Sequence, residues 1–157
     1  MYRVGNGIDV HPLVKGRSLI LGGVHIKHDV GCDGHSDGDV LIHSIIDALL
    51  GATGEGDIGD YFSSSDPKYK DIESLKLLSK IALKIKTKSW NIENIDSTVM
   101  LQTPRLKSYI PEIIENIKKI LVVADISIKA TTTDYLGFIG EGKGIAVITT
   151  CLLSKTI

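Results

Sequence analysis

Asp9 and His11 stand two residues apart in Tyr2 to His11, a stretch that alternates like a strand. Their side chains therefore share one face, while Ile8 and Val10 take the other. Strands seldom aim an aspartate at a core, so Asp-x-His asks for a reason. A third candidate, His43, lies in the apolar run Val40, Leu41, Ile42, Ile45, Ile46, Leu49, Leu50 and shares a helical face with Asp39 and Asp47. A helix this apolar is mostly buried. A buried imidazole between two carboxylates fits three readings: a satisfied core histidine, a general acid–base, or a metal ligand whose second ring nitrogen a carboxylate holds. Taken together, Asp9, His11 and His43 offer one carboxylate and two imidazoles, a donor set that suits zinc. Three protein ligands leave a fourth position open, which marks a catalytic site rather than a structural one. On that reading Asp39 and Asp47 orient His43, and His35 points at whatever fills the open position. The rival set, Cys32, His35 and His43, would give a thiolate-bearing structural site. It lacks a fourth close ligand, and Cys151 falls on a different element.

These residues need elements to place them. Ser36 has the chemistry of an N-cap with Asp39 three residues on, a capping-box spacing, and predicts a helix from Asp37 to about Leu50, closed by Gly51. Pro12 is expected to end the first strand. Ser18–Leu21 and Val24–His28 flank Gly22-Gly23, a hairpin signal. Gly54-Glu55-Gly56-Asp57-Ile58-Gly59 matches a dinucleotide fingerprint in letters only, because it follows a helix instead of a strand. Phe62 to Pro67 reads as a polar loop. Helical spacing returns from Glu73 through Leu75, Leu78, Ala82 and Ile85. Trp90 to Leu101 reads as a strand, Pro111 as the first turn of a helix, and Asp125 to Thr133 as another strand. The last strand, Ile145 to Leu153, is apolar nearly throughout and is expected at the sheet centre. This order argues α+β: a mixed or antiparallel sheet with helices packed on one face.

The whole chain sets bounds. Its 157 residues suit one domain, residues 1–157. At 43% hydrophobic and 24% charged, with a net charge of −1, it is not held to nucleic acid by bulk basicity. The apolar runs are too short to span a bilayer. The first residues carry no signal-peptide pattern, and two cysteines make no disulfide framework, so a reducing cytoplasm is expected.

A series of segments then resembles one family: Gly7-Ile8-Asp9-Val10-His11, Gly34-His35-Ser36-Asp37-Gly38-Asp39-Val40, His43, Asp47-Ala48-Leu49-Leu50-Gly51-Ala52, Gly56-Asp57-Ile58-Gly59 and Lys129-Ala130-Thr131-Thr132-Thr133. In that order and at those spacings they resemble 2-C-methyl-D-erythritol 2,4-cyclodiphosphate synthases. The resemblance implies conversion of 4-diphosphocytidyl-2-C-methyl-D-erythritol 2-phosphate to a cyclic diphosphate and CMP. It also implies a homotrimer with active sites between subunits. Asp9, His11 and His43 match the zinc ligands of that family, with Asp9 and His11 also meeting substrate. His35 and Ser36 match phosphate contacts. Asp57, Gly59, Phe62, Ser63, Ser64, Ser65 and Asp66 match the methylerythritol pocket. Leu101, Thr103, Pro104, Arg105, Leu106 and Lys107 match the cytidine pocket across the subunit boundary. Thr131, Thr132, Thr133 and Asp134 match the strand end at the diphosphate, with Thr132 stabilising the transition state and Asp134 binding magnesium or manganese. Phe138 is carried over as a further contact. Two functions from other classes remain beside this one: a zinc-dependent phosphoesterase and a non-catalytic nucleotide-binding trimer.

The chain departs from the family pattern in places. Ser63-Ser64-Ser65 stands where members usually have Pro and acidic residues, Asp134 where they have Glu, and Asn6 where they often have His. Glu141 stands where several have Arg, and Lys143 where they have Glu. A carboxylate at Glu141 repels a diphosphate, so an isoprenoid diphosphate in the cavity on the trimer axis is not expected here.

Overall fold

The computed structural model describes residues 1–63, 65–69 and 71–156. The chain runs β1 (Tyr2–Lys15), β2 (Leu19–Leu21), β3 (Val24–Ile26), β4 (Val30–Cys32), α1 (Val40–Thr53), α2 (Ile58–Tyr61), a 3-10 turn at Pro67–Tyr69, and α3 (Ser74–Thr87). It continues with β5 (Asn91–Met100), α4 (Ile110–Lys118), β6 (Val123–Thr131), α5 (Gly137–Gly140) and β7 (Gly144–Ser154). Five strands form one sheet in the order β4-β1-β7-β5-β6. β5 and β6 run parallel and the other neighbours antiparallel, so the fold is α+β with a mixed sheet. β7 is central, as its apolar run predicts. The Gly22-Gly23 hairpin forms too, pairing Leu21 with Val24.

Four local expectations are corrected. β1 does not stop at Pro12. Pro12 is the last residue paired with β7, opposite Gly144, and Leu13 then pairs with Cys32 of β4. The missing N–H falls at the changeover between partners, and the Pro12 carbonyl still accepts from the Asp33 N–H at 2.9 Å. The N-cap of α1 is Asp39, not Ser36, because Asp39 Oδ1 accepts from the Ile42 N–H at 3.1 Å. α1 also continues through Gly51 to Thr53, and Gly54 closes it in the left-handed conformation at φ 72°. The buried stripe of α3 is Leu77, Leu78, Ile81 and Ile85, with Leu75 and Ala82 only half-buried beside it. Gly54 as this cap and Asp57 as the N-cap of α2 also account for the glycine-rich stretch without a nucleotide.

The core lies between α1 and the sheet. Every second residue of β1 faces α1, and two of these are Gly5 and Gly7. A Cβ on Gly5 would lie 2.0 Å from the Ala48 carbonyl oxygen, and one on Gly7 2.0 Å from that of Ser44. α1 thus rests directly on the β1 backbone, which brings His43 over Asp9 and His11. Gly51 is different: its nearest neighbour is the Asn6 carbonyl oxygen at 3.6 Å, and it sits inside α1. Gly51→Ala is therefore expected to raise stability by roughly 0.5–1 kcal/mol through helix propensity and a less flexible unfolded chain. A chemical denaturation midpoint checks this.

The opposite sheet face is largely exposed, though Ala146 on it is buried. There Val4, Ile8 and Val10 of β1 stand beside Leu152, Ile148 and Ala146 of β7. Val4 is 67% exposed, Ile8 57%, Val10 50% and Ile148 41%.

Candidate active site

Asp9, His11 and His43 come together, their ligand atoms all within 4.8 Å of one another. Asp9 Oδ2 lies 3.0 Å from His11 Nε2 and 3.1 Å from His43 Nδ1. The donor set fits a cation. His11 Nδ1 lies 2.6 Å from the Asp33 carbonyl oxygen, which can only accept, so Nδ1 carries a proton and Nε2 faces Asp9, with a proton when the ring is cationic and a lone pair when it is neutral. With both rings neutral and these nitrogens unprotonated, three acceptors converge on one point, an arrangement that one divalent ion satisfies. Among the described residues no other group of three such side chains converges.

The carboxylates flanking His43 on its helix do not hold it, contrary to the sequence reading. Asp39 is fully buried and caps α1, with Oδ2 accepting from the Gly23 N–H at 2.8 Å. Burial and then the nearby Asp37 charge raise its pKa. Asp47 accepts from the Ile58 N–H at 2.8 Å. Unpaired backbone donors at helix starts claim both. His43 Nε2 instead meets two hydroxyls, Ser74 Oγ at 2.9 Å and Ser36 Oγ at 3.1 Å. Ser36 Oγ also accepts from the Gly38 N–H at 3.3 Å. With Nε2 protonated, that nitrogen offers Ser36 no lone pair, and the Ser36 O–H is left to donate outward.

The loop carrying Asp33, His35 and Ser36 is held from behind by Arg17, which sequence reading did not single out. Its Nη2 donates to the carbonyls of Gly34 at 3.0 Å and Ser36 at 2.9 Å, and Nε to that of Cys32 at 3.3 Å. The far side is held by the Asp71 N–H to the His35 carbonyl at 2.9 Å. His35 Nε2 lies 3.4 Å from the Asp66 carbonyl. The rival thiolate site fails: Cys32 is fully buried, and burial pushes its thiol up to about 12.

Beside the convergent ligands opens a cavity of about 290 Å³, lined by His11, His35, Ser36, His43, Ile58, Gly59, Phe62, Tyr69, Ile72 and Leu77. Phe62 and Tyr69 meet edge to face at 5.3 Å. Gly59 and Phe62 thus reach this wall. Asp57 instead caps α2, with Oδ1 on the Gly59 and Asp60 N–H groups at 2.8 and 3.2 Å. Ser63 and Ser65 bond each other at 2.8 Å, Asp66 pairs with Lys68 at 2.7 Å, and Ser64 lies outside the described residues. Tyr69, Ile72 and Leu77 carry no chemical signal in the sequence and emerge only from the packing.

A second cavity, about 370 Å³, is lined by Leu101, Gln102, Pro104, Arg105, Leu106, Lys107, Ala130, Thr131 and Thr132. It shares no lining residue with the first. β6 ends at Thr131, so Thr132 and Thr133 lie past the strand. Thr132 Oγ1 donates to Asp134 Oδ1 at 3.3 Å, and Asp134 and Tyr135 are both left-handed, at φ 52° and 65°. Thr103 precedes Pro104 in the same turn. Phe138 lies against Gly144, where a Cβ would meet its ring at 2.6 Å, and lines neither cavity.

The electrostatics follow from the geometry. Burial opposes the Asp9 charge, but the hydrogen bonds and charges of His11 and His43 outweigh it and hold Asp9 at about 2. His11 is raised above its ordinary 6.5, chiefly by its bond to Asp9, against the opposing effect of burial. A metal must displace that proton. Zinc affinity is therefore expected to fall as pH drops through the raised His11 value, by about tenfold per pH unit below it for one proton. Chelator competition between about pH 5 and 8 checks this, and pH-independent affinity would contradict it.

Comparison with known proteins points one way. The YgbB family model matches residues 2–154. The chain is 51% identical over 156 residues to the 2-C-methyl-D-erythritol 2,4-cyclodiphosphate synthase of Halothermothrix orenii, covering 98% of this chain and 94% of that protein. It is 52% identical over 153 residues to the synthase of Clostridium acetobutylicum, covering 96% and 99%. Among solved structures, the IspF–CDP complex of Plasmodium falciparum superposes with a TM-score of 0.86 at 37% identity, covering 99% of this chain and 97% of that one. The bifunctional IspDF of Campylobacter jejuni superposes at 0.94 and 42% identity, this chain spanning 43% of that longer one. With near-full-length matches in sequence and in fold, the chain belongs to the YgbB family, that of the 2-C-methyl-D-erythritol 2,4-cyclodiphosphate synthases.

Proposed function

We propose that the protein, folded as a single domain over residues 1–157, converts 4-diphosphocytidyl-2-C-methyl-D-erythritol 2-phosphate to 2-C-methyl-D-erythritol 2,4-cyclodiphosphate and CMP. This is a phosphorus–oxygen lyase step of the non-mevalonate route to isoprenoid precursors. The observation that carries the reading is the convergence of Asp9, His11 and His43 at an apolar cavity that His35 and Ser36 also line.

In the reaction, an oxygen of the 2-phosphate bonds to the β-phosphorus, the bond from that phosphorus to the bridging oxygen breaks, and CMP leaves with that oxygen. Both partners are anionic, so repulsion is the obstacle, and positioning and charge are what the site must supply. Zinc held by Asp9, His11 and His43, and magnesium or manganese at Asp134, supply charge neutralisation when bound. Asp134 would offer that second ion a single carboxylate. Ser36 donates its free O–H to phosphate, and His35 donates a ring N–H. The nucleophile is already an oxyanion, so His35 is not needed as a base. Gly59, Phe62 and Ile72 enclose the methylerythritol carbons. Thr131, Thr132 and Thr133 meet the diphosphate, with Thr132 donating to the charge that builds at the transition state. Pro104, Arg105, Leu106 and Lys107 frame the cytidine, in keeping with a relative solved as a CDP complex.

Two observations support a homotrimer with sites between subunits. The metal cavity and the Leu101–Thr132 cavity share no lining residue. The apolar strip of Val4, Ile8, Val10 and Ile148 is exposed in the single chain. Location in the cytoplasm accords with Cys32 and Cys151 being free. Phosphorus NMR of the protein with substrate, zinc and magnesium tests the reaction. Cyclic diphosphate appearing with CMP is the expected result. A linear phosphate product would make it a phosphoesterase, and bound substrate without turnover a binding module.

A further inference from the structure

Ser74 opens α3 and is fully buried. It is 31 residues from His43 in sequence, yet its Oγ lies 2.9 Å from His43 Nε2. On its other side the hydroxyl is bonded to Asp37 Oδ1. Asp37 also accepts from the Ser74 N–H at 2.9 Å and from the Asp39 N–H at 3.1 Å. A carboxylate can only accept, so the Ser74 O–H is committed to Asp37. The Ser74 oxygen then has only lone pairs left for His43, and Nε2 must bring the proton. That leaves Nδ1, the nitrogen facing Asp9 and His11, with its lone pair. Asp37 is itself fixed by three donors and by its own N–H to the Ile72 carbonyl at 3.2 Å.

We infer that Ser74, anchored by Asp37, is the positioning residue of the metal centre: it sets the tautomer and ring orientation of His43 through a carboxylate–hydroxyl–imidazole relay. The relay does the work that a carboxylate in direct contact with a ligand histidine does elsewhere. Its chemistry also explains why neither Asp39 nor Asp47 is needed for it. The same serine sits at the end of the segment carrying Tyr69 and Ile72, so the cavity wall and the metal ligand share one anchor. The inference rests on the metal reading above.

The test compares wild type, Ser74→Ala and Ser74→Thr. Ser74→Ala keeps the Ser74 N–H bond to Asp37 and removes only the hydroxyl. Zinc affinity, read by chelator competition, is expected to fall roughly tenfold to a hundredfold in Ser74→Ala, with Ser36 still present to soften the loss. The melting temperature of the metal-free protein stays near wild type, and at saturating zinc kcat falls while KM holds. Ser74→Thr, which keeps the hydroxyl, recovers affinity. Nitrogen-15 NMR of the zinc-loaded protein supplies a readout independent of activity. The His43 Nε2–H proton is protected and hydrogen-bonded in wild type, and in Ser74→Ala its signal shifts and it exchanges faster, because only the longer Ser36 contact remains. Equal zinc affinity and an unchanged Nε2–H signal in Ser74→Ala would overturn the inference while leaving the metal reading intact. Wild type that binds no zinc would overturn both.

Discussion

His43→Ala is expected to lose zinc and to lower turnover by about a thousandfold or more, while the protein keeps its fold and oligomeric state. The substitution removes one of the three acceptors that converge at Asp9. Two remaining ligands do not make a zinc site of useful affinity, because the open position of a catalytic site already takes one coordination place. With the ion go several kcal/mol of transition-state charge stabilisation, and each tenfold in rate is about 1.4 kcal/mol. The fold is spared because α1 is held by Leu41, Ile42, Ile45, Ile46, Leu49 and Leu50, all fully buried, and not by His43. Metal analysis, steady-state kinetics and sedimentation on one preparation check all three parts. A variant that kept both zinc and turnover would defeat the account.

Gly7→Ala is the second large effect, and it acts from the strand side. The new methyl would meet the Ser44 carbonyl oxygen at 2.0 Å and the Ala48 N at 2.7 Å. Both are helix backbone, so no rotamer change relieves the clash and α1 must lift from β1. Overpacking against side chains costs roughly 1–3 kcal/mol. A backbone obstacle puts this case at about 3 kcal/mol or above, which for a domain of this size is a drop of roughly 10 °C in melting temperature. The Ser44 Oγ bond to Thr149 at 2.7 Å, part of a buried chain that continues from Thr149 to Ser97 at 2.8 Å, is disturbed too. Since His43 precedes Ser44, zinc affinity falls along with stability. Thermal melts with and without zinc check both. Gly51→Ala, on the same helix but meeting only the Asn6 carbonyl oxygen at an ordinary 3.6 Å, moves stability the other way.

Much of the site was legible because two periodicities carry it. A period of two put Asp9 and His11 on one face of β1, and an apolar helical run marked α1 as a buried helix that could pack on that sheet and carry His43, itself half-buried, to them. The partners of His43 were not legible. Asp39 and Asp47 stand four residues away on the same helix and look like its natural company, but helix starts lack backbone partners, and the N–H groups of Ile42 and Ile58 took those carboxylates. Ser74 and Arg17 reach the site through tertiary packing, from positions whose local sequence says only helix start and surface. Pro12 misled for a related reason: a missing N–H ends a ladder only where a partner strand expects that donor, and here the partner changes at that residue. The sheet centre and the Gly22-Gly23 hairpin were legible because each depends on local chemistry alone.

X-ray absorption at the zinc edge of the loaded protein reads the ligand set of the metal centre itself. Two imidazole nitrogens at about 2.0–2.1 Å are expected, with the remaining ligands oxygen, one from Asp9 and one exchangeable, and no sulfur. Adding substrate should change the exchangeable oxygen and leave the nitrogens in place. A sulfur scatterer near ~2.3 Å, or four protein ligands that ignore substrate, would contradict that ligand set.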